Sequence, residues 1–285
     1  MHSLFQPNRL LDTFLERVAF GEQERAERLF TQVYQGNVEK IQVALCCQRR
    51  FTDYSGRTFH CSAYEYAYWA KDTHMCRMLE RYMNDATKTT MLERIDKMES
   101  IVLETGQPMG LSYQQNGAEH RSAHFNFAPL IRALQGYINC FEESAARFTS
   151  NLEPLKAAWI MVGKAQRDVP AHVAQEYCRR DRCFDPLPSF NVDQEILPRV
   201  LAFYNWDTGR DDSWFPLGLA EVGLGFDFAI MRGHTARAAR IVFACFAAGV
   251  RLDLEVITLL NKIRTIDLTH SRDNLITPKP PCMSI

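Results

Sequence analysis

The chain has 285 residues, enough for one large domain or two ordinary ones with a substantial core. Hydrophobic content of 46% and charged content of 24% fit a globular protein, and 33 basic against 34 acidic side chains exclude a general pull toward nucleic acid or anionic membrane. The 9 cysteines are scattered, and Met1 to Arg9 has no apolar run, so reduced thiols and no signal peptide are expected.

Helical periodicity dominates residues 1–105. Leu10, Leu11, Phe14, Leu15 and Val18 share one face, and Val38, Ile41, Val43 and Leu45 follow later. Gly21 and Gly36 interrupt these runs at places where a positive φ turns the chain. A tight turn, Asp53-Tyr-Ser-Gly56-Arg-Thr58, leads to a short helix around Ala63, Tyr64 and Ala67. A second helix presents Met75, Met78, Leu79 and Tyr82. Asp85 or Thr87 caps the next one, whose stripe is Met91, Leu92, Ile95, Met98, Ile101 and Val102. Gly106 to Ser122, rich in glycine and polar residues, reads as a loop or short hairpin; Leu111 and Tyr113 suit a short strand. It separates a lobe at 1–105 from one at 123–272.

Beyond that boundary the helical texture returns. Asn151 caps a helix carrying Leu155, Ala158, Trp159 and Val162, and Pro170 opens one with Val173 and Tyr177. Ile196, Val200, Leu201 and Tyr204 mark another, followed by a polar turn from Asn205 to Pro216. The longest weakly charged apolar stretch, Ile241 to Val250, is too short to span a bilayer, so a soluble protein without membrane insertion is expected. A last helix takes Leu254, Val256, Ile257, Leu260 and Ile263, and residues 273–285, with three prolines at 278, 280 and 281, read as a disordered tail.

The segments DYSGRTF (53–59) and SAYEYAYWAKDTHMCRMLERYM (62–83) resemble an ankyrin-type repeat, a turn followed by two helices, as found in ankyrin-like secreted effectors of intracellular bacterial pathogens. The clear likeness covers 53–82, with weaker echoes at 14–45, 127–143 and 226–253, where Gly233, His234 and Gly249 take the turn positions. Phe59, His60 and Cys61 are extra residues before Ser62, and Glu65 replaces the usual turn histidine. The resemblance implies a mostly α fold of stacked helical hairpins with degenerate ankyrin-like units, either an irregular α-solenoid or two helical lobes. It also implies protein recognition, type IV secretion from the bacterial cytoplasm into the host cytosol, an unidentified host protein as partner, and no cofactor. The positions that would meet the partner are Tyr54, Arg57, Tyr64, Tyr66, Tyr68 and Trp69. The competing reading packs these aromatic residues between hairpins.

An enzyme housed in residues 120–220 is the alternative. His120 and His124 would face one side of a helix and, with Cys178 and Cys183, supply a four-ligand zinc set. Cys178 as nucleophile with His172 as base, oriented by Asp168 or Asp181, is the thiol version; six residues on one helix set the pair about 240° apart. Cys61 with His60 or His124 is a second thiol pair. Asp207, Asp211 and Asp212 lack the ligand alternation of a calcium loop, and no Lys-Ser or Lys-Thr follows Gly218, Gly223 and Gly225 as phosphate binding requires.

Overall fold

The structure is a computed structural model that describes residues 5–102, 104–146, 153–178, 185–190, 203–205, 210–212 and 243–276. Its contacts form two compact units, residues 1–125 with 264–285 and residues 126–263.

The first unit opens with α1 (Phe5–Ala19), α2 (Gln23–Arg28, continued by a π-helical turn, Leu29–Val33) and α3 (Val38–Cys46). The breaks fall at Gly21 and Gly36, with φ of 68° and 73°. The run of helix expected through residue 105 is then interrupted. β1 (Arg49–Thr52) and β2 (Thr58–Cys61) pair as an antiparallel hairpin. Its residues obey the period of a strand: Phe51, Phe59 and Cys61 are buried, while Arg50, Thr52 and His60 face out.

Helices α4 (Ala63–Trp69), α5 (Thr73–Glu80) and α6 (Asp85–Glu99) follow. Ser62 and Glu65 form a capping box, each side chain taking the other's backbone N–H, which gives Glu65 a role that the ankyrin pattern does not use. Asp72 caps α5, and Asn84, instead of Asp85 or Thr87, caps α6. A short pair, β3 (Ile101–Val102) with β4 (Gln107–Pro108), precedes a second hairpin, β5 (Leu111–Gln115) and β6 (Ala118–Ser122). The two hairpins join into an antiparallel sheet of order β1-β2-β5-β6. Gly110 (φ +61°) is required here, because a Cβ at that position would come within 2.7 Å of the Ser122 backbone.

The inner face of this sheet packs on aromatic rings. Phe59 lies 5.9 Å from Phe51, 4.9 Å from Trp69 and 5.1 Å from Tyr113, centroid to centroid. In the turn between β1 and β2, one Asp53 carboxylate oxygen accepts the N–H groups of Ser55 and Arg57. The other accepts Arg57 Nε–H at 2.8 Å and the Tyr66 hydroxyl at 3.2 Å. The Arg57 guanidinium also lies over the rings of Trp69 (5.0 Å) and Phe125 (5.3 Å). Burial works against its charge, but Asp53, Tyr66 and Tyr113 acting together hold the Arg57 pKa above its ordinary value.

The long helix α10 (Phe243–Ile276) contributes its stretch from Arg264 onward to the first unit. Leu268 and Leu275 join the core, and the buried Arg264 donates to His74 Nε2 at 2.9 Å. Asn274 donates to Glu80, which also accepts from Tyr64; burial raises the Glu80 pKa against the opposing pull of these bonds. The helix therefore runs past Arg272, where the tail was expected to begin, and residues 277–285 lie outside the described residues.

In the second unit, α7 (Ala128–Ala146) and α8 (Glu153–Arg167) pack on each other, with Tyr137 and Trp159 rings 5.0 Å apart. α9 (Ala171–Cys178), the pair β7 (Phe203–Asn205) and β8 (Arg210–Asp212), and the first part of α10 complete its described residues. α7 passes straight through Gly136 and α10 through Gly249, so neither of these glycines makes a repeat turn at 127–143 or 226–253. Tyr204 sits on β7 and not on a helix; Asn151, Ile196 to Leu201, Gly233 and His234 lie outside the described residues. The fold is mostly helical with a small antiparallel sheet, and among the described residues no helix is long and apolar enough to cross a membrane.

Replacing Arg57 by Met leaves the Asp53 carboxylate buried without its cation. The variant should lose about 3–5 kcal/mol of unfolding free energy, measured by urea titration followed by tryptophan fluorescence.

Candidate functional site

The residues expected to meet a partner do not reach the surface. Tyr54, Arg57, Tyr64, Tyr66, Tyr68 and Trp69 are all buried, the most exposed of them at 8%. Tyr66 holds Asp53, Tyr64 holds Glu80, and Trp69 donates its indole N–H to Ser122 Oγ at 2.9 Å. The packing reading of these aromatic residues is the one that their burial supports, and the partner-contact reading of them is set aside.

The expected metal ligands are also redistributed. His120 lies on β6, where its ring stacks on Tyr113 at 5.3 Å, and His124 follows the strand; the two share no helix face. His124 Nε2 sits 3.1 Å from Glu99 Oε1, the oxygen that also accepts the Tyr68 hydroxyl. Cys183 and the Cys178 side chain lie outside the described residues. Among the described residues no three His, Cys, Asp or Glu side chains converge as a metal site.

Of the thiol pairs, Cys61 and His60 are neighbours on β2 and so point to opposite faces of the sheet. Burial, with Glu65 adding to it, pushes the Cys61 thiol well up, which disfavours a thiolate. His172 and Cys178 both belong to α9, and His172 is buried. That helix also buries Gln175 and Glu176. Positions 172, 175 and 176 share one helix face, so this is a polar interior surface in the second unit. Asp211 and Asp212 lie on β8, while Asp207 and the glycines at 218, 223 and 225 fall outside the described residues.

A different site emerges on the outward face of the four-stranded sheet. Strand alternation sends Phe51, Phe59 and Cys61 inward and leaves Arg50, Thr52 and His60 outward, with Arg50 directly opposite His60. Pairing of β2 with β5 then sets Thr58 beside Gln114, and pairing of β5 with β6 sets Gln114 beside Glu119. Arg50, Thr58, His60, Ser112, Gln114 and Glu119 line a concavity of about 370 Å³ on this face. Ser112 Oγ donates to Glu119 at 2.8 Å, and the hydroxyls of Thr52 and Thr58 are 3.0 Å apart. The arrangement offers a fixed cation at one end, a carboxylate at the other, and amide and hydroxyl groups between them. Of these residues the sequence singled out His60 alone, and as a partner for Cys61. The signals were the period-two alternation of RRFT and TFHC and the Asn116-Gly117 pair between two alternating stretches.

The CBUA0006 C-terminal domain, a protein family, matches residues 129–275 of this chain. The uncharacterized protein CBUA0006 of Coxiella burnetii is 38% identical over 288 residues, covering 95% of this chain and 77% of that protein. The chain belongs to the CBUA0006 family. No solved structure matches it.

Away from this concavity, the contacts of Glu99 on α6 make the first unit sensitive to acid. The hydrogen bond with His124 lowers the Glu99 pKa, burial opposes it, and the Tyr68 hydroxyl lowers it further. A folded pKa below the unfolded value of about 4.3 adds stability above that value. The contribution disappears as pH falls through the lower, folded pKa. The advantage in melting temperature of the parent over Glu99→Gln should shrink as pH falls from about 5 into stronger acid, as followed by circular dichroism at stepped pH.

Proposed function

We propose that this chain is a protein-binding module whose partner lies on the outward face of the four-stranded sheet. The observation that carries the reading is the concavity lined by Arg50, Thr58, His60, Ser112, Gln114 and Glu119. Strand backbone holds these groups in place, so little order is lost when an extended polypeptide settles across them. Charged ends and a central run of amide and hydroxyl groups match the alternating donors and acceptors of a peptide. The ankyrin-like resemblance supports the same class of function, because hairpins carry the contacts in such proteins. It also motivates the reading of the chain as a secreted bacterial effector with a host protein as partner. The contact surface in this reading is the strands, not the tyrosines of α4.

A photo-crosslinking residue placed at His60, in chain expressed in host-type cytosol, should trap a protein that the same residue at the exposed Glu93 of α6 does not. Arg50→Glu combined with His60→Glu should weaken that complex about tenfold or more. Equal trapping at both positions, or an unchanged complex in the double variant, would reject the sheet face as the binding surface.

A further inference from the structure

β6 forms one edge of the four-stranded sheet, and its residues 118–121 are exposed. Asn116 (φ 51°) and Gly117 (φ 77°) close the β5–β6 hairpin as a two-residue turn, with Gln115 opposite Ala118. In a hairpin of this kind the pairs Gln115–Ala118, Tyr113–His120 and Leu111–Ser122 exchange the hydrogen bonds of the ladder. The N–H and C=O groups of Glu119 and Arg121 therefore point away from β5. Among the described residues no backbone group meets them.

We infer that this edge pairs antiparallel with β6 of a second copy of the chain, on a two-fold axis at His120. Two independent requirements select that register. Backbone parity demands that residues with outward-pointing groups face one another, which sets Glu119 opposite the second copy's Arg121 and Arg121 opposite the second copy's Glu119. Charge complementarity demands the same arrangement, since a two-fold at Glu119 or at Arg121 would oppose like charges. Both side chains already stand over the same face of the sheet: Glu119 accepts from Ser112 Oγ, and Arg121 donates to the Met109 carbonyl at 3.1 Å. On the other face, small residues meet, Ala118 against the second copy's Ser122.

An edge of this composition would normally discourage pairing, because charged side chains interrupt the strand. Here the order Glu-His-Arg is its own complement when the strand is reversed. Pairing would add about four ladder hydrogen bonds and two ion pairs. An interface that small makes a weak, concentration-dependent dimer, not a permanent one. Glu119 also lines the sheet-face concavity, but the two readings separate: Arg50 and His60 lie on β1 and β2, away from this edge, and self-association of the chain is independent of partner trapping at His60.

Sedimentation velocity of the full chain at low salt and rising concentration tests it. The parent should show reversible monomer–dimer exchange. Glu119→Arg and Arg121→Glu should each weaken dimerisation about tenfold or more, since every reversal spoils both symmetric pairs. The double variant Glu119→Arg/Arg121→Glu should regain parental association. Circular dichroism confirms that each variant is folded. A second measurement covers the case of a reversal that does not fold: under mild oxidation His120→Cys should give a disulfide between copies at that position, whereas Ala118→Cys should not. A chain that stays monomeric at every concentration, a dimer indifferent to single reversals, or cross-linking at 118 equal to that at 120 would overturn the inference.

Discussion

A single enclosed ion pair, Asp53 with Arg57, organises the first unit. Its separation is 2.8 Å, and its side chains are 2% exposed at Arg57 and 0% at Asp53. Such pairs seldom add much net stability, because desolvation offsets their attraction. Their value lies in geometry. The Asp53 carboxylate takes two backbone N–H groups of its own turn, while Gly56 supplies the positive φ of 79° that closes it. The Arg57 cation then reaches the indole of Trp69 on α4 and the ring of Phe125 beyond β6. Trp69 in turn donates to Ser122 on β6 and accepts the N–H of Phe125 on its carbonyl. One guanidinium thus ties the first hairpin, the helix after it and the end of the second hairpin.

The outward face of the sheet follows from that anchoring. Once Phe51, Phe59 and Tyr113 are drawn against Trp69 and Tyr66, strand alternation leaves Arg50, His60, Ser112 and Gln114 on the opposite side. The concavity and the free edge of β6 are therefore products of inner-face packing, not separate inventions of the surface. A register slip of one residue in either hairpin would exchange the two faces and destroy both features together.

Much of the helical framework was legible in the amino-acid order. Gly21 and Gly36 marked real breaks, the stripe Met91, Ile95 and Met98 faces the core, and the glycine-rich segment around Asn116 is a hairpin. The first hairpin was not legible, because strands of four residues carry too few alternations to compete with flanking helical periodicity. The tyrosines of α4 misled for a related reason. A tyrosine suits an interface and a core equally well, and only tertiary contacts decide between them; here Asp53, Glu80 and Glu99 each satisfy one hydroxyl from inside. Arg57 is the same problem in sharper form, since an arginine in a turn reads as solvent-facing until its aromatic neighbours are known.

The end of the chain shows how composition conceals a structural role. Polar residues dominate the segment from Arg264 to Ile276, and Leu268 and Leu275, seven residues apart, are sparse signs of its buried face. Yet Leu268 and Leu275 supply core surface to the first unit, while Arg264, Thr265, Arg272 and Asn274 bond to His74, Lys71, Asp96 and Glu80. These partners lie on α5, on α6 and in the turn before α5, all far earlier in sequence. A boundary drawn where the glycine-rich segment ends would separate these residues from the α10 stretch that fills their polar and apolar gaps. The first unit is discontinuous in sequence for that reason: residues up to 125 carry acceptors and apolar surface whose complements arrive only with residue 264 and beyond.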